Sequence, residues 1–123
     1  MTIIEAINQI DELKPNSYPQ SQKVKWLSTL DGLVKRLIID THEGAESVTF
    51  NGYTDEIPIG TELLVPAPYD EIYLRWLESK IDYSNGEYAR YNNTAAAYQA
   101  EFDTYRNYYN QTHTPICCKN KFF

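Results

Sequence analysis

Apolar positions recur at helical spacing from the start of the chain. Ile3, Ile7 and Ile10 follow at steps of four and three, with Ile4 beside them, so one face of a short helix is apolar. Thr2 precedes this run and Glu5 stands three residues on, the spacing of a capping box. Pro15 ends the segment, and Pro15-Asn16-Ser17-Tyr18 has the composition of a turn. A second, longer helix is predicted from near Pro19, a residue tolerated in a first turn. Its stripe is Leu27, Leu30, Val34 and Leu37, widened by Val24, Leu33 and Ile38. Lys23, Lys25, Lys35 and Arg36 fall on the side assigned to solvent. Asp31-Gly32 interrupts the stripe. A mid-helix glycine costs about 1 kcal/mol against alanine, so a bend or a close contact is expected there. The helix is expected to stop before Gly44, a candidate left-handed cap.

The pattern then changes. Val48 and Phe50 alternate with polar residues before Asn51-Gly52 and Tyr53, which reads as a strand followed by a turn. Leu63-Leu64-Val65-Pro66 is a short apolar run bounded by prolines and suits an edge strand or extended arm. Residues 45–67 are therefore predicted as a β-hairpin or arm inserted between helices two and three. Val48, Phe50, Tyr53, Leu64 and Val65 are its candidate contacts with a neighbouring subunit, the alternative being that they pack on their own helices.

Helical spacing returns after Pro68, with Asp70 and Glu71 placed where a helix dipole favours negative charge. Leu74, Leu77, Ile81, Ser84, Tyr88, Tyr91, Ala95, Tyr98, Phe102, Tyr105 and Tyr109 alternate steps of three and four. Ser84-Asn85-Gly86 and Asn92-Asn93-Thr94 both argue against one straight rod. The predicted division is a third helix from Pro68 to Tyr91 and a fourth from Thr94 to Asn110, with Asn93 as its cap. The fold class expected is mainly α: a small bundle of about four helices over residues 1–115, with the 45–67 arm and a tail at 116–123.

Composition sharpens this picture. The 123 residues suit one domain, and 11 Lys+Arg against 17 Asp+Glu give a net charge of −6. An acidic chain lacks the electrostatic footprint for wrapping nucleic acid phosphates. No apolar run is long enough to span a membrane, and the opening residues do not read as a signal peptide. Cys117 and Cys118 are adjacent and give no disulfide framework, so a reducing cytoplasm is the expected site of synthesis.

The 11 tyrosines stand out. Tyr88, Tyr91, Tyr98, Tyr105 and Tyr109 share one helical face. A tyrosine buries its ring while its hydroxyl needs a partner or water. The face can pack within its own bundle, form a subunit interface, or stack on single-stranded nucleic acid. Only Arg90 and Arg106 lie between Tyr88 and Tyr109, opposed by Glu87, Glu101 and Asp103, which weakens the last reading. Tyr108 falls off the main stripe and is the candidate for an exposed contact.

Catalytic chemistry is not suggested. His42 and His113 are the only histidines and neither sits in a nucleophile motif. His42 follows a helix and is expected to cap its last carbonyls. The neighbouring pairs Asp55-Glu56 and Asp70-Glu71 do not face each other as an acid/base pair. His113 with Cys117 and Cys118 lacks a second well-spaced ligand pair, so no metal and no cofactor is expected.

Specific runs do suggest a family. They are Lys14-Pro15-Asn16-Ser17-Tyr18, then Lys23-Val24-Lys25-Trp26-Leu27-Ser28-Thr29-Leu30-Asp31. Leu63-Leu64-Val65-Pro66-Ala67-Pro68-Tyr69-Asp70 and Tyr73 continue them, followed by Ile81-Asp82-Tyr83, Glu87, Arg90-Tyr91-Asn92, His113 and Pro115. The chain resembles the head–tail connector (adaptor) proteins of long-tailed phages and prophages over about residues 2–115. The resemblance implies a non-enzymatic virion protein of the neck, made in the host cytoplasm. It implies a homo-oligomeric ring, commonly of twelve subunits, beneath the portal protein. Such a ring extends the DNA channel and offers a docking surface to the next neck or tail protein. The genome passes through without specific binding, and acidic walls suit that passage. Tyr105, Tyr108 and Tyr109 are the candidate contacts to the portal or the next neck protein. A second reading from another class is a small phage-encoded helical protein that binds a host or regulatory partner.

Overall fold

The computed structural model describes residues 1–116. Four helices follow in chain order: α1 (Ile3–Leu13), α2 (Gln20–Leu37), α3 (Ile72–Ser84) and α4 (Tyr88–Thr112). Short 3-10 turns at Ile39–Thr41, Ala45–Ser47 and Tyr69–Glu71 punctuate the connection between α2 and α3. The protein is mainly helical, and the described residues contain no strand.

The start of α1 follows its sequence closely. Glu5 N–H donates to Thr2 Oγ1 at 3.2 Å, and Thr2 N–H donates back to Glu5 Oε1 at 2.9 Å. The reciprocal bonds satisfy two helix-end donors. Ile3, Ile7 and Ile10 are buried as their spacing predicts. In α2 the stripe of Val24, Leu27, Leu30 and Val34 is buried, but it does not extend to Leu37, which is 49% exposed. The helix tightens into the 3-10 turn there, so Ile38 and Ile39 take over the inward positions. Gly44 is left-handed, at φ +86°, but it precedes the next 3-10 turn rather than closing α2.

Lys23 corrects a second expectation. It is buried, with its stem among the helices and its ammonium 2.6 Å from Asp11 Oδ1, tying α2 to α1. A long lysine stem buries methylenes while the charge finds a partner at the rim.

The third and fourth helices divide earlier than predicted. α4 runs unbroken through Asn92-Asn93-Thr94, and the turn lies at Asn85-Gly86-Glu87. Gly86 holds φ +77°, a conformation that suits glycine. Asn85 N–H donates to Ile81 O at 2.9 Å, and Glu87 N–H donates to Asp82 O at 2.9 Å. Asn93 is therefore an exposed mid-helix residue, not a cap. Asn92-Asn93-Thr94 does not break α4 because Thr94 turns inward. Its hydroxyl bonds the Arg90 and Tyr91 carbonyls and, at 3.1 Å, Asp82 Oδ2.

α3 and α4 form an antiparallel hairpin. Tyr83 meets Tyr91, Trp76 meets Tyr98 and Tyr69 meets Tyr108. Leu77 and Ile81 of α3 and Phe102 and Tyr105 of α4 join α1 and α2 in one core. Burying each such side chain is worth about 1.5–3 kcal/mol. Asp82 lies wholly buried where three helices converge. Lys14 Nζ, at the end of α1, donates to its Oδ1 at 2.5 Å.

Candidate functional site

The predicted arm lies flat on the subunit, and its β-hairpin is absent from the described residues. Its backbone pairs with the first residues of the chain instead, and the segment just before it pairs with Thr114 and Ile116. Ile3 and Ile4 N–H donate to Thr61 O and Ile59 O at 3.0 and 2.9 Å, and Leu63 N–H donates to Met1 O at 3.0 Å. One isolated bridge joins Thr2 to Glu62. At the other end, Glu43 N–H donates to Thr114 O, and Ile116 N–H donates to Thr41 O, each at 2.8 Å.

Asp31 explains why the connection lies down. This carboxylate is fully buried in α2. It accepts the Tyr73 hydroxyl from α3 at 2.6 Å and the Leu64 N–H at 3.1 Å. The Tyr53 hydroxyl is its third donor. Val65 N–H in turn donates to the Tyr73 oxygen at 2.7 Å. Burial raises the Asp31 pKa above the usual aspartate value, and the bonds from Tyr53, Tyr73 and Leu64 pull against that rise. Burial, with the neighbouring Asp31 charge, also pushes the Tyr53 and Tyr73 hydroxyls up. They therefore stay protonated donors.

The five arm residues accordingly pack on their own helices. Val65 is fully buried, while Val48, Tyr53 and Leu64 are half-buried against the core. Phe50 stands edge-on to Tyr53 at 5.0 Å, and a Cβ on Gly32 would lie 3.8 Å from its ring. That is an ordinary van der Waals distance, so the close contact expected at Gly32 is not what the glycine provides. Ser28 Oγ accepts the Tyr53 N–H at 2.9 Å.

The C-terminal tyrosines form an internal ladder. Tyr105 and Tyr109 are buried, and burial raises the Tyr105 pKa to about 12. Tyr108 is half-buried and stacks on Tyr69 at 4.7 Å, so it is less free than its position off the stripe suggested. Tyr109 stacks face to face on His113 at 3.8 Å and lies edge-on to His42 at 4.8 Å. The buried His42 makes the capping contact expected of it, with Nδ1 2.5 Å from Ile38 O. Its Nε2 lies 2.7 Å from Asn110 Oδ1, joining the end of α2 to α4. Cys117 and Cys118, and most of the predicted tail, lie outside the described residues. No group of three or more metal-ligating side chains occurs among the described residues.

The exposed aromatic surface sits elsewhere, over the α3–α4 turn and the groove beside it. Tyr83 and Tyr88 are 56% and 59% exposed, with ring centroids 5.7 Å apart. The groove encloses about 390 Å³ between Trp76, Tyr83, Tyr91 and Tyr98. Trp76 is fixed by its indole N–H, which donates to Trp26 O at 2.7 Å. Lys80 lies over the Trp76 ring with its ammonium 4.4 Å from the centroid, and it is the one charged residue of the lining. No spacing pattern announced this groove. It is built where the second half of α3 meets the first half of α4, on both sides of the misplaced helix boundary.

Charge is segregated as well. From Leu37 to Leu74 the chain carries eight carboxylates and no Lys or Arg. All 11 basic residues lie outside that connection. No described helix is long and apolar enough to cross a membrane.

No protein-family model, no curated protein and no solved structure matches this chain.

Proposed function

We propose that this protein is a head–tail connector subunit of a long-tailed phage or prophage, a non-enzymatic virion protein that assembles as a ring beneath the portal. The reading starts from the resemblance over residues 2–115. The observation that supports it best is the exposed aromatic pair Tyr83 and Tyr88 beside a groove walled by the buried Trp76 and the half-buried Tyr91 and Tyr98. Aromatic side chains left open to water on a small domain, next to a groove, mark surfaces that partners cover. Tyrosine suits such a surface because its ring packs while its hydroxyl remains hydrated.

In this reading the buried tyrosines Tyr105 and Tyr109 stiffen α4, and Tyr108 with the α3–α4 turn faces a partner. In this reading the side of each subunit that carries the acidic connection turns toward the channel, although Asp40, Glu62, Asp70 and Glu71 there are paired with Lys35, the N-terminal ammonium and Arg75. Repeated around a ring, that side repels phosphate and lets DNA slide past without sticking. The ring then extends the portal channel and presents its far side to the next neck or tail protein.

The test is co-expression with the portal protein of a long-tailed phage or prophage whose neck genes include this chain, followed by negative-stain imaging. A ring with a central hole stacked on the portal is the expected image. Portal rings that remain bare at saturating subunit overturn the reading.

A further inference from the structure

Two patches of the subunit, with no lining residue in common, are complementary in chemistry. The first is the α3–α4 groove, aromatic on its walls and positive at Lys80. The second is the tip of the α2–α3 connection, Ile57-Pro58-Ile59. Ile57 is half-buried on the subunit's own core, so the exposed apolar part is Pro58 and Ile59, the latter 41% exposed, flanked by the exposed carboxylates Asp55, Glu56 and Glu62. It lies beside Gln20, Ser21 and Val24 at the start of α2, away from the groove.

We infer that the tip of one copy seats in the α3–α4 groove of a second copy. The inference rests on the assembly reading in taking the chain to self-associate, and it names the contact. Three observations carry it. Charge complementarity comes first: the groove carries the ammonium of Lys80 and the tip is flanked by Asp55 and Glu56, and opposite charges steer and orient docking. Fit comes second. A volume of about 390 Å³ is at the small end of binding pockets, about 300–1,000 Å³, and takes a few side chains rather than a helix. Flat aromatic walls suit proline, whose fixed backbone makes it a low-entropy ligand. Third, the tip is ordered before docking. Thr61 N–H and Oγ1 donate to Pro58 O at 3.0 and 2.6 Å, and Ile4 N–H donates to Ile59 O at 2.9 Å. Docking a segment already held in place loses little conformational freedom.

Because the two patches differ, the contact is heterologous. Each subunit offers one tip and one groove, so contacts continue head to tail until they close into a ring.

Directed cross-linking tests this with the full chain, in a background carrying Cys117→Ser and Cys118→Ser. Ile59→Cys chains mixed with Gln99→Cys chains are expected to give a cross-linked dimer on mild oxidation. Each variant alone is expected to stay uncross-linked, and a chain carrying both substitutions should give a ladder of multimers. Lys80→Glu should cut the mixed yield about tenfold, equivalent to about 1.4 kcal/mol. Adding Asp55→Lys with Glu56→Lys to the partner chain should restore it. Circular dichroism confirms that each variant is folded. Absence of the mixed dimer between folded chains overturns the inference, as does equal cross-linking of either variant with itself. The outcome separates from that of the connector reading. Rings on the portal without the 59–99 cross-link remove this contact and leave the connector standing. A 59–99 ladder beside bare portals removes the connector and leaves this contact standing.

Discussion

Asp31 concentrates more of the fold than any other single side chain. It stands in α2, is wholly buried, and accepts donors from α3 and from two points of the connection. Asp31→Ala leaves three donors without an acceptor. Each buried donor left unpaired costs about 1–3 kcal/mol, so a loss of at least about 3 kcal/mol is expected in urea unfolding. The pH dependence has a definite sign. The folded Asp31 pKa is raised, so the native chain holds this proton more tightly than the unfolded chain. Its contribution is fully present below the usual carboxylate range and is lost as pH rises through the raised folded value. Asp31→Asn cannot titrate. The stability of the natural chain relative to Asp31→Asn should therefore fall as pH rises from the usual aspartate range through the raised folded value. A relative stability that stays flat or climbs over that range counts against the assignment. In the sequence, Asp31 beside Gly32 read only as an interruption of an apolar stripe. Its true role depends on Tyr53 and Tyr73, which lie 22 and 42 residues away, and no local pattern reaches that far.

At the scale of elements, the sequence was legible wherever a helix carries its own signal. The Thr2–Glu5 box, the Ile3-Ile7-Ile10 stripe and the His42 contact with the end of α2 all appear as expected. The boundary between α3 and α4 was not, because two polar triplets compete for it. Ser84-Asn85-Gly86 contains the residue that takes a left-handed turn, whereas Thr94 in the second triplet is held by a buried aspartate. Two substitutions separate these alternatives by thermal unfolding. Asn93→Ala should stabilise the chain by about 0.5 kcal/mol, as alanine does in an exposed helix interior, whereas loss of a cap would cost about 1 kcal/mol. Gly86→Ala should destabilise by about 1 kcal/mol, because a side chain at positive φ is strained.

At the scale of the whole molecule, the helical bundle was foreseen and the lie of the connection was not. Alternation at Val48 and Phe50 resembles a strand, yet Val48 packs on the core and the Phe50 ring lies beside Gly32 of α2, with no second strand among the described residues. A buried carboxylate and the chain's own first residues take the backbone and side-chain bonds that a hairpin would have used. Hydrogen exchange reads this directly. The Leu64 and Val65 amides, held by Asp31 and Tyr73, should exchange about as slowly as the core of α2, while Asp55 and Glu56 exchange fast. Fast exchange throughout 48–66 is the result an outstretched arm gives. The exposed groove over Trp76, by contrast, belongs to no element's own pattern. It exists only once α3 and α4 have paired.

The segments nearest the two ends of the described chain both clip the same connection, Met1, Ile3 and Ile4 against 59–63 and Thr114 and Ile116 against 41–43. This sets an order on synthesis. As the chain leaves the ribosome from its N-terminus, the first clip can form once residue 63 is out, but the second waits for residue 116. Until then the His42 corner has no α4 to close on, and the acidic connection is fastened at one end only. Between those two points the chain has the residues for the first clip only. The groove, lined from Trp76 to Gln99, can form only once residue 99 is out, so a contact made through it, as proposed above, waits on most of the fold.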